Sequence, residues 1–353
     1  PMSDTGTGFV DGARLTKLSG AKRVADFLLR WESMLFLIFV IVFVGNSFLS
    51  PYFLDPVNLF DTTFNFLEKA IMSLPMMFVI LLGDIDISVS SIISLSSLFM
   101  GMASLGGADT WTIVAIGLGV GMLCGAFNGL LITRLGIPSI AVTLGSSSLF
   151  RGIANAVLGD QAYTKYPEPF AYFGQGYLGK SIVPFELLAF AILAIVAGVA
   201  LNKSVYGRHV YAVGNNKTAA KFSGVPVDRV RMIAFILSGL AAGLAAVMLT
   251  SRIGSTRPNI ASGWDTDIIT IVVLGGVAIT GGKGNIIGVI ISNFLLGYLK
   301  FGMGVLNIPG KVMNIITGVL LVVAILLPKF TDGLRISLKA GKAKTAARSG
   351  GEK

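Results

Sequence analysis

Cysteine and histidine are almost absent from this sequence: Cys124 and His209 are the only representatives in 353 residues. A single cysteine excludes an internal disulfide and any cysteine-built metal site. Cys124 stands among glycines in an apolar run and reads as a packing residue. His209 lies in a polar interval with no second ligand or base in view, and reads as a loop residue. No metal, no cofactor and no catalytic constellation is therefore expected. Charge is scarce too: 13% of residues are charged and 54% hydrophobic, where a soluble domain carries roughly a quarter charged. Apolar runs with charges confined to the gaps point to an all-α polytopic membrane protein embedded in the lipid bilayer. Acid is the scarcer sign, leaving a net charge of +10. In a membrane protein that excess marks basic loops facing anionic lipid, so nucleic acid is not an expected partner. Glycine (44) and proline (12) are not lacking, and membrane spans tolerate both.

Ten spans are predicted, at about 34–49, 69–83, 87–104, 111–133, 137–157, 183–202, 232–250, 267–282, 284–300 and 311–328. Several fall short of the ~20 residues of a perpendicular span. Tilted, re-entrant or broken helices are expected around 83–90 and 275–285. With the N-terminus inside, 20 of the 28 basic residues fall on the cytoplasmic side. The bias predicts both termini in the cytoplasm of a multi-pass inner-membrane protein. The expected parts are a cytoplasmic segment 1–30, a transmembrane domain 31–330 with a cytoplasmic loop at 203–231, and a disordered tail 331–353. Arg14 to Arg30 suits a surface-lying helix, and no cleavable signal peptide is expected. A faint echo of Leu82-Gly83-Asp84-Ile85 in Leu274-Gly275-Gly276-Val277, and of Ile137-Pro138 in Ile308-Pro309, predicts two weakly related four-helix halves.

The longest polar interval runs from Asn202 to Ile233 and sets six basic residues (Lys203, Arg208, Lys217, Lys221, Arg229 and Arg231) against Asp228 alone. Asn216 to Phe222 can form two helical turns capped by Asn215 or Asn216. Gly224 can stop that helix in a left-handed conformation, and Pro226 forbids its continuation. Such a knuckle suits docking of another protein; an ordinary solvated loop is the plainer reading. The stretch Gly207, Arg208, Tyr211, Ala212, Gly214, Asn216, Ala219, Ala220, Ser223, Gly224 and Val225 resembles the coupling segment of bacterial ABC-type sugar importer permeases, the family of ribose, rhamnose and autoinducer-2 permeases. The resemblance implies ATPase coupling through Asn215, Asn216, Ala219, Ala220, Ser223 and Gly224. It also implies a cytoplasmic ABC ATPase, an external substrate-binding protein, and a second permease copy or sister permease as partners.

Other stretches carry the same resemblance. Gly83 to Ser91 is similar to the family's GGIDLSVGS, with Asp84 and Ser90 replacing glycines. There Asp86 suits a cap on the next helix; contact with sugar hydroxyls or gating is the alternative. Ile137 to Gly145 resembles another family stretch, and Leu274 to Gly288 a third. Along the solute pathway the candidates are Asp86, Ser88, Asn128, Thr143, Ser146 and Ser147. A sugar crossing apolar surroundings needs partners for its hydroxyls, although Ser and Thr also bond their own helix. Gly117, Gly121, Gly125 and Gly129, with Gly239 and Gly243 in a later span, form small-residue stripes for helix packing. The aromatics between Gly159 and Lys180 suit an interfacial belt or a docking face. Gly174 to Ser181 satisfies the phosphate-loop pattern but lacks the preceding strand and soluble domain that a phosphate loop needs.

The function expected is the permease subunit of a binding-protein-dependent ATP-driven importer for a small sugar, not an enzyme. An ion-coupled secondary transporter is the alternative. Asp84, Asp86, Arg151 and Lys300 at predicted span ends argue against it, since such transporters hold ionisable groups at mid-membrane.

Overall fold

A computed structural model of the chain describes residues 30–320 and 322. The surface helix expected before Arg30, the tail 331–353 and the end of the tenth span lie outside the described residues. The remainder is helical: α1 Trp31–Leu49, α2 Pro56–Thr63, α3 Leu67–Leu81, α4 Val89–Leu105, α5 Thr110–Arg134, α6 Ser139–Leu158, α7 Tyr172–Gln175, α8 Phe185–Lys203, α9 Val205–Asn215, α10 Lys217–Phe222, α11 Val227–Ile253, α12 Trp264–Leu274, α13 Ile286–Val305, and α14 Gly310–Leu320. Short 3-10 turns occupy Pro51–Leu54 and Glu168–Ala171.

Of these helices, α1, α5, α8, α11 and α13 are long and apolar enough to cross a membrane, and the α2–α3 pair, bent by 49°, makes a sixth. Ten full-length spans are not seen among the described residues. The predicted span 267–282 ends at Leu274, because Gly275 to Asn285 forms an irregular turn. α4 has only 17 residues, because the chain from Leu82 to Ser88 is a turn followed by an irregular segment rather than helix. Both breaks fall in the two regions, around 83–90 and 275–285, where broken helices are expected from the sequence.

Two ends of the bundle can be told apart. At one end α9 and α10 project; Gly214 there lies so close to Leu81 and Gly282 that a Cβ would sit 1.9 Å from the Leu81 carbonyl oxygen. At the other end the aromatic segment 163–177 covers the last turn of α11, with the Gly174 N–H donating to Ser251 Oγ at 2.8 Å. We call these the knuckle end and the aromatic end. α3 and α12 run toward the knuckle end, and α4 and α13 return.

α11 is the axis of the molecule, and its buried residues run the length of the helix, from Val227 to Ser251. It meets α5 through the two glycine stripes. A Cβ on Gly121 would lie 2.4 Å from the Gly239 carbonyl oxygen, and one on Gly243 would lie 2.5 Å from that of Gly117. The backbones therefore touch, a geometry that small residues permit in a bilayer, where dispersion contacts rather than water exclusion hold helices together.

The turns at 82–84 and 275–277 are built alike. Gly83 N–H donates to Ile80 and Asp84 N–H to Val79; Gly276 N–H donates to Val273 and Val277 N–H to Val272. Gly83 (φ 77°) and Gly276 (φ 88°) both take the left-handed conformation that this helix stop requires. The matched glycines are thus Gly83 and Gly276, one position away from the pairing read in the sequence.

Candidate functional site

At the knuckle end, Ser204 starts α9 by accepting the Gly207 N–H on its hydroxyl at 3.1 Å. The sequence reading took this stretch for part of a loop. Val210 and Val213 bury one face of α9, and the period was obscured by Arg208 and His209 beside them. α10 follows at once: Asn216 Oδ1 accepts the Ala219 N–H at 2.9 Å. Its C-terminal stop is the left-handed Gly224 (φ 82°), with the Val225 N–H reaching back to Ala220 at 3.0 Å. Asn215 does not cap; its amide donates to Tyr211 O at 2.8 Å.

Asn215, Asn216, Ala219, Ser223 and Gly224 are all exposed. Ala220 differs: it is 5% exposed, so its methyl faces the bundle. Phe222, absent from the predicted set, is 89% exposed on the same short helix. An aromatic ring standing free on a docking helix was legible only once the helix phase was known. Lys217 shares the exposed face; burial first, then the neighbouring Arg231 charge, holds its pKa below the usual lysine value.

Behind the knuckle, the non-helical segment from Gly83 to Ser88 is tied to three helices. Arg231, in the first turns of α11, grips Asp84 with both ends of its guanidinium, Nε to Oδ2 and Nη2 to Oδ1, each at 2.7 Å. Asp84 therefore replaces the flexibility of glycine by a buried ion pair. Arg231, counted above among the loop charges, belongs to the bundle instead. Asp86 is wholly buried. Its Oδ1 accepts the Ser88 N–H at 3.0 Å and the Ser88 hydroxyl at 2.5 Å, while Oδ2 accepts the Ser238 hydroxyl at 2.8 Å. Asn128 Nδ2 donates to Ser88 Oγ at 2.8 Å. The helix cap itself is Ser88, and Asp86 orders the turn leading into it.

Asp86, Ser88 and Asn128, three candidates for the pathway, thus meet in one buried polar knot with Ser238, in which Asn128 Oδ1 keeps no partner. Thr143 and Ser146 are also buried. Thr143 Oγ1 lies 3.4 Å from both Ile85 O and Ile140 O, and Ser146 donates to Thr143 O at 3.3 Å. Ser147 is half-buried. The face of α6 turned away from the bundle carries Gly145, Ser148, Gly152 and Asn155 instead.

Further corrections concern charge and aromatics. Several acids at helix ends are nonetheless buried: Asp86 and Glu186 are fully buried, as is Glu68, whose Oε1 accepts Arg252 Nε at 2.6 Å. In the aromatic segment, Phe170 is buried and stacks on Tyr166 at 4.9 Å, so those two rings pack inward rather than outward. In the Gly174–Ser181 pattern four amides are engaged: Gly174 N–H on Ser251 Oγ, Gly176 N–H on Tyr172 O, Leu178 N–H on Val183 O and Ser181 N–H on Leu178 O.

Residues 58–325 match the family described as branched-chain amino acid transport system / permease component. The autoinducer 2 import system permease protein LsrD of Klebsiella pneumoniae is 33% identical over 304 residues, 84% of this chain and 91% of that protein. The ribose import permease protein RbsC of Bacillus subtilis is 33% identical over 298 residues, 84% of this chain and 90% of its own. LsrD of Escherichia coli K12 is 34% identical over 299 residues, 84% and 91% respectively. No solved structure matches. The chain belongs to this family of multi-pass transport permeases.

Proposed function

We infer that the chain is the membrane permease subunit of an ATP-driven importer of a small sugar. The observation that carries this reading is the knuckle: a capped two-turn helix with Phe222 exposed, held through Arg231 and Asp84 to the segment that orders the bundle's polar knot. The relatives named for ribose and autoinducer 2 import supply the substrate class, a monosaccharide or furanosyl compound. In this reading the knuckle end is cytoplasmic and receives a separate ABC ATPase. The aromatic end faces outward, toward a substrate-binding protein that delivers the sugar.

A second permease copy, or a sister chain, completes the pathway. The face of α6 bearing Gly145, Ser148, Gly152 and Asn155 is small, polar and uncovered in the single chain, which suits a wall shared between two copies. Thr143, Ser146, Asp86, Ser88 and Asn128 then act one layer behind, fixing the position of that wall. The matched turns at Gly83 and Gly276 support two related halves, α3–α4 and α12–α13 within them.

Power flows from outside the polypeptide. ATPase closure pushes α10, and α11 transmits the push because its first turns carry Arg231. Uptake into vesicles co-reconstituted with the ATPase should require ATP. Phe222→Asp should abolish co-purification of the ATPase while leaving the permease monodisperse, since the ring makes little contact with its own chain. Uptake driven by a proton gradient without ATP would overturn the proposal in favour of an ion-coupled transporter.

A further inference from the structure

At the aromatic end the helices enclose a recess of about 420 Å³ that the transport reading leaves without a role. Its charged part is formed by Lys69 in the first turn of α3, Asp267 in the first turn of α12 and Lys300 near the end of α13. Both ammonium groups reach the same carboxylate oxygen, Asp267 Oδ2, at 2.5 Å for Lys69 and 3.0 Å for Lys300. Lys69 Nζ also lies 4.8 Å from the centre of the Trp264 ring. Asp267 is the only carboxylate lining the recess among the described residues. The adjacent acid, Glu68, is paired with Arg252 instead. Two ammoniums against one carboxylate leave one positive charge uncompensated, and each ammonium keeps N–H donors beyond its bond to Asp267.

Polarity changes with depth. Ile271 lies one helical turn beyond Asp267 on α12, and Leu296 one turn before Lys300 on α13. Because α12 and α13 run in opposite directions, both steps lead the same way, about 6 Å deeper into the bundle. Phe66 adds further hydrocarbon to the walls, and Phe301 lies on the mouth side of Lys300. At the bottom, nearly one turn below Leu296, Asn293 turns its amide away to donate to Ser73 Oγ and Val289 O. A cavity with cationic groups near the surface and apolar walls below reproduces, along the membrane normal, the order of parts in a phospholipid.

We propose that this recess binds an anionic phospholipid, with its phosphodiester on Lys69 and Lys300 and an acyl chain against Phe66, Ile271 and Leu296. A headgroup of one negative charge neutralises the cluster, which no neutral lipid would do, and burial of an uncompensated ammonium is costly without such a partner. In the orientation inferred above, the lipid comes from the outer leaflet.

The test is native mass spectrometry on the full chain taken from bilayers of equal palmitoyl-oleoyl phosphatidylcholine and phosphatidylglycerol. Retained phosphatidylglycerol should exceed phosphatidylcholine and fall about fivefold in Lys300→Gln. Lys300→Arg should restore it, and Lys180→Gln in the exposed loop should leave it unchanged. Val305→Trp, which fills the mouth while sparing both lysines, should also expel the lipid and serves if Lys300→Gln does not fold. Equal retention of the two lipids, or full retention in Lys300→Gln and Val305→Trp, would overturn the proposal. So would complete displacement by millimolar inorganic phosphate, which would mark a site for free anions. None of these results depends on whether the chain carries sugar.

Discussion

Replacing Asp84 by alanine would strand the Arg231 guanidinium inside the bundle. Removing one partner of a buried pair typically costs about 3–5 kcal/mol, because the surviving charge has lost both water and counterion. Asp84→Ala should therefore melt far below the parent, whereas Asp84→Ala combined with Arg231→Met should recover much of the loss. A double-mutant cycle on thermal unfolding measures the coupling, and additive effects would show that the pair is not a unit. Residues whose roles are local were readable in the sequence: Asn216 caps and Gly224 stops a helix through atoms three or four positions away. Asp84 was not readable, because its partner is 147 residues distant. Ala220 and Phe222 differ only in helix phase, which one short polar stretch does not fix.

The pairing of α5 with α11 rests on backbone contact. Gly121→Val places side-chain carbon where the Gly239 carbonyl already stands, so the helices must separate. A loss of about 3 kcal/mol or more is expected, read as a lower melting temperature or failure to insert. Gly119→Val is the matched control, since nothing lies within 4 Å of its added Cβ. At this scale the small-residue stripes announced tight packing, and the structure shows which stripe meets which. The long apolar helices were also legible, with α1, α5 and α8 starting and ending within a few residues of the predicted bounds. α9 was hidden because Arg208 and His209 stand between its buried positions, Gly207 and Val210, in the sequence. The end of α12 at Leu274 falls at the edge of the break expected around 275–285, where Gly275 and Gly276 interrupt the apolar run.

For the molecule as a whole, orientation is the decisive quantity, and the chain carries a convenient silence for measuring it. Cys124, its only cysteine, is buried within α5. Phe222→Cys should react with a membrane-impermeant maleimide in inside-out vesicles and stay unlabelled in right-side-out ones. Labelling in the opposite preparation would reverse both ends of the bundle and remove the ATPase from the knuckle. Family membership was legible from long motifs, but the relation between the halves was barely so. The two turns share hydrogen bonds and backbone angles while their side chains, Asp84 against Val277, have diverged.

One meeting point joins these observations. The Leu81 carbonyl accepts the Gly282 N–H at 2.9 Å, and Gly214, at the end of α9, leaves no room between them for even a methyl group. Three polypeptide strands from distant parts of the chain thus share a single fulcrum immediately beneath α10. A thrust arriving there cannot tip one half of the permease and spare the other, so opening and closing should be concerted, with no stable half-open intermediate to leak solute.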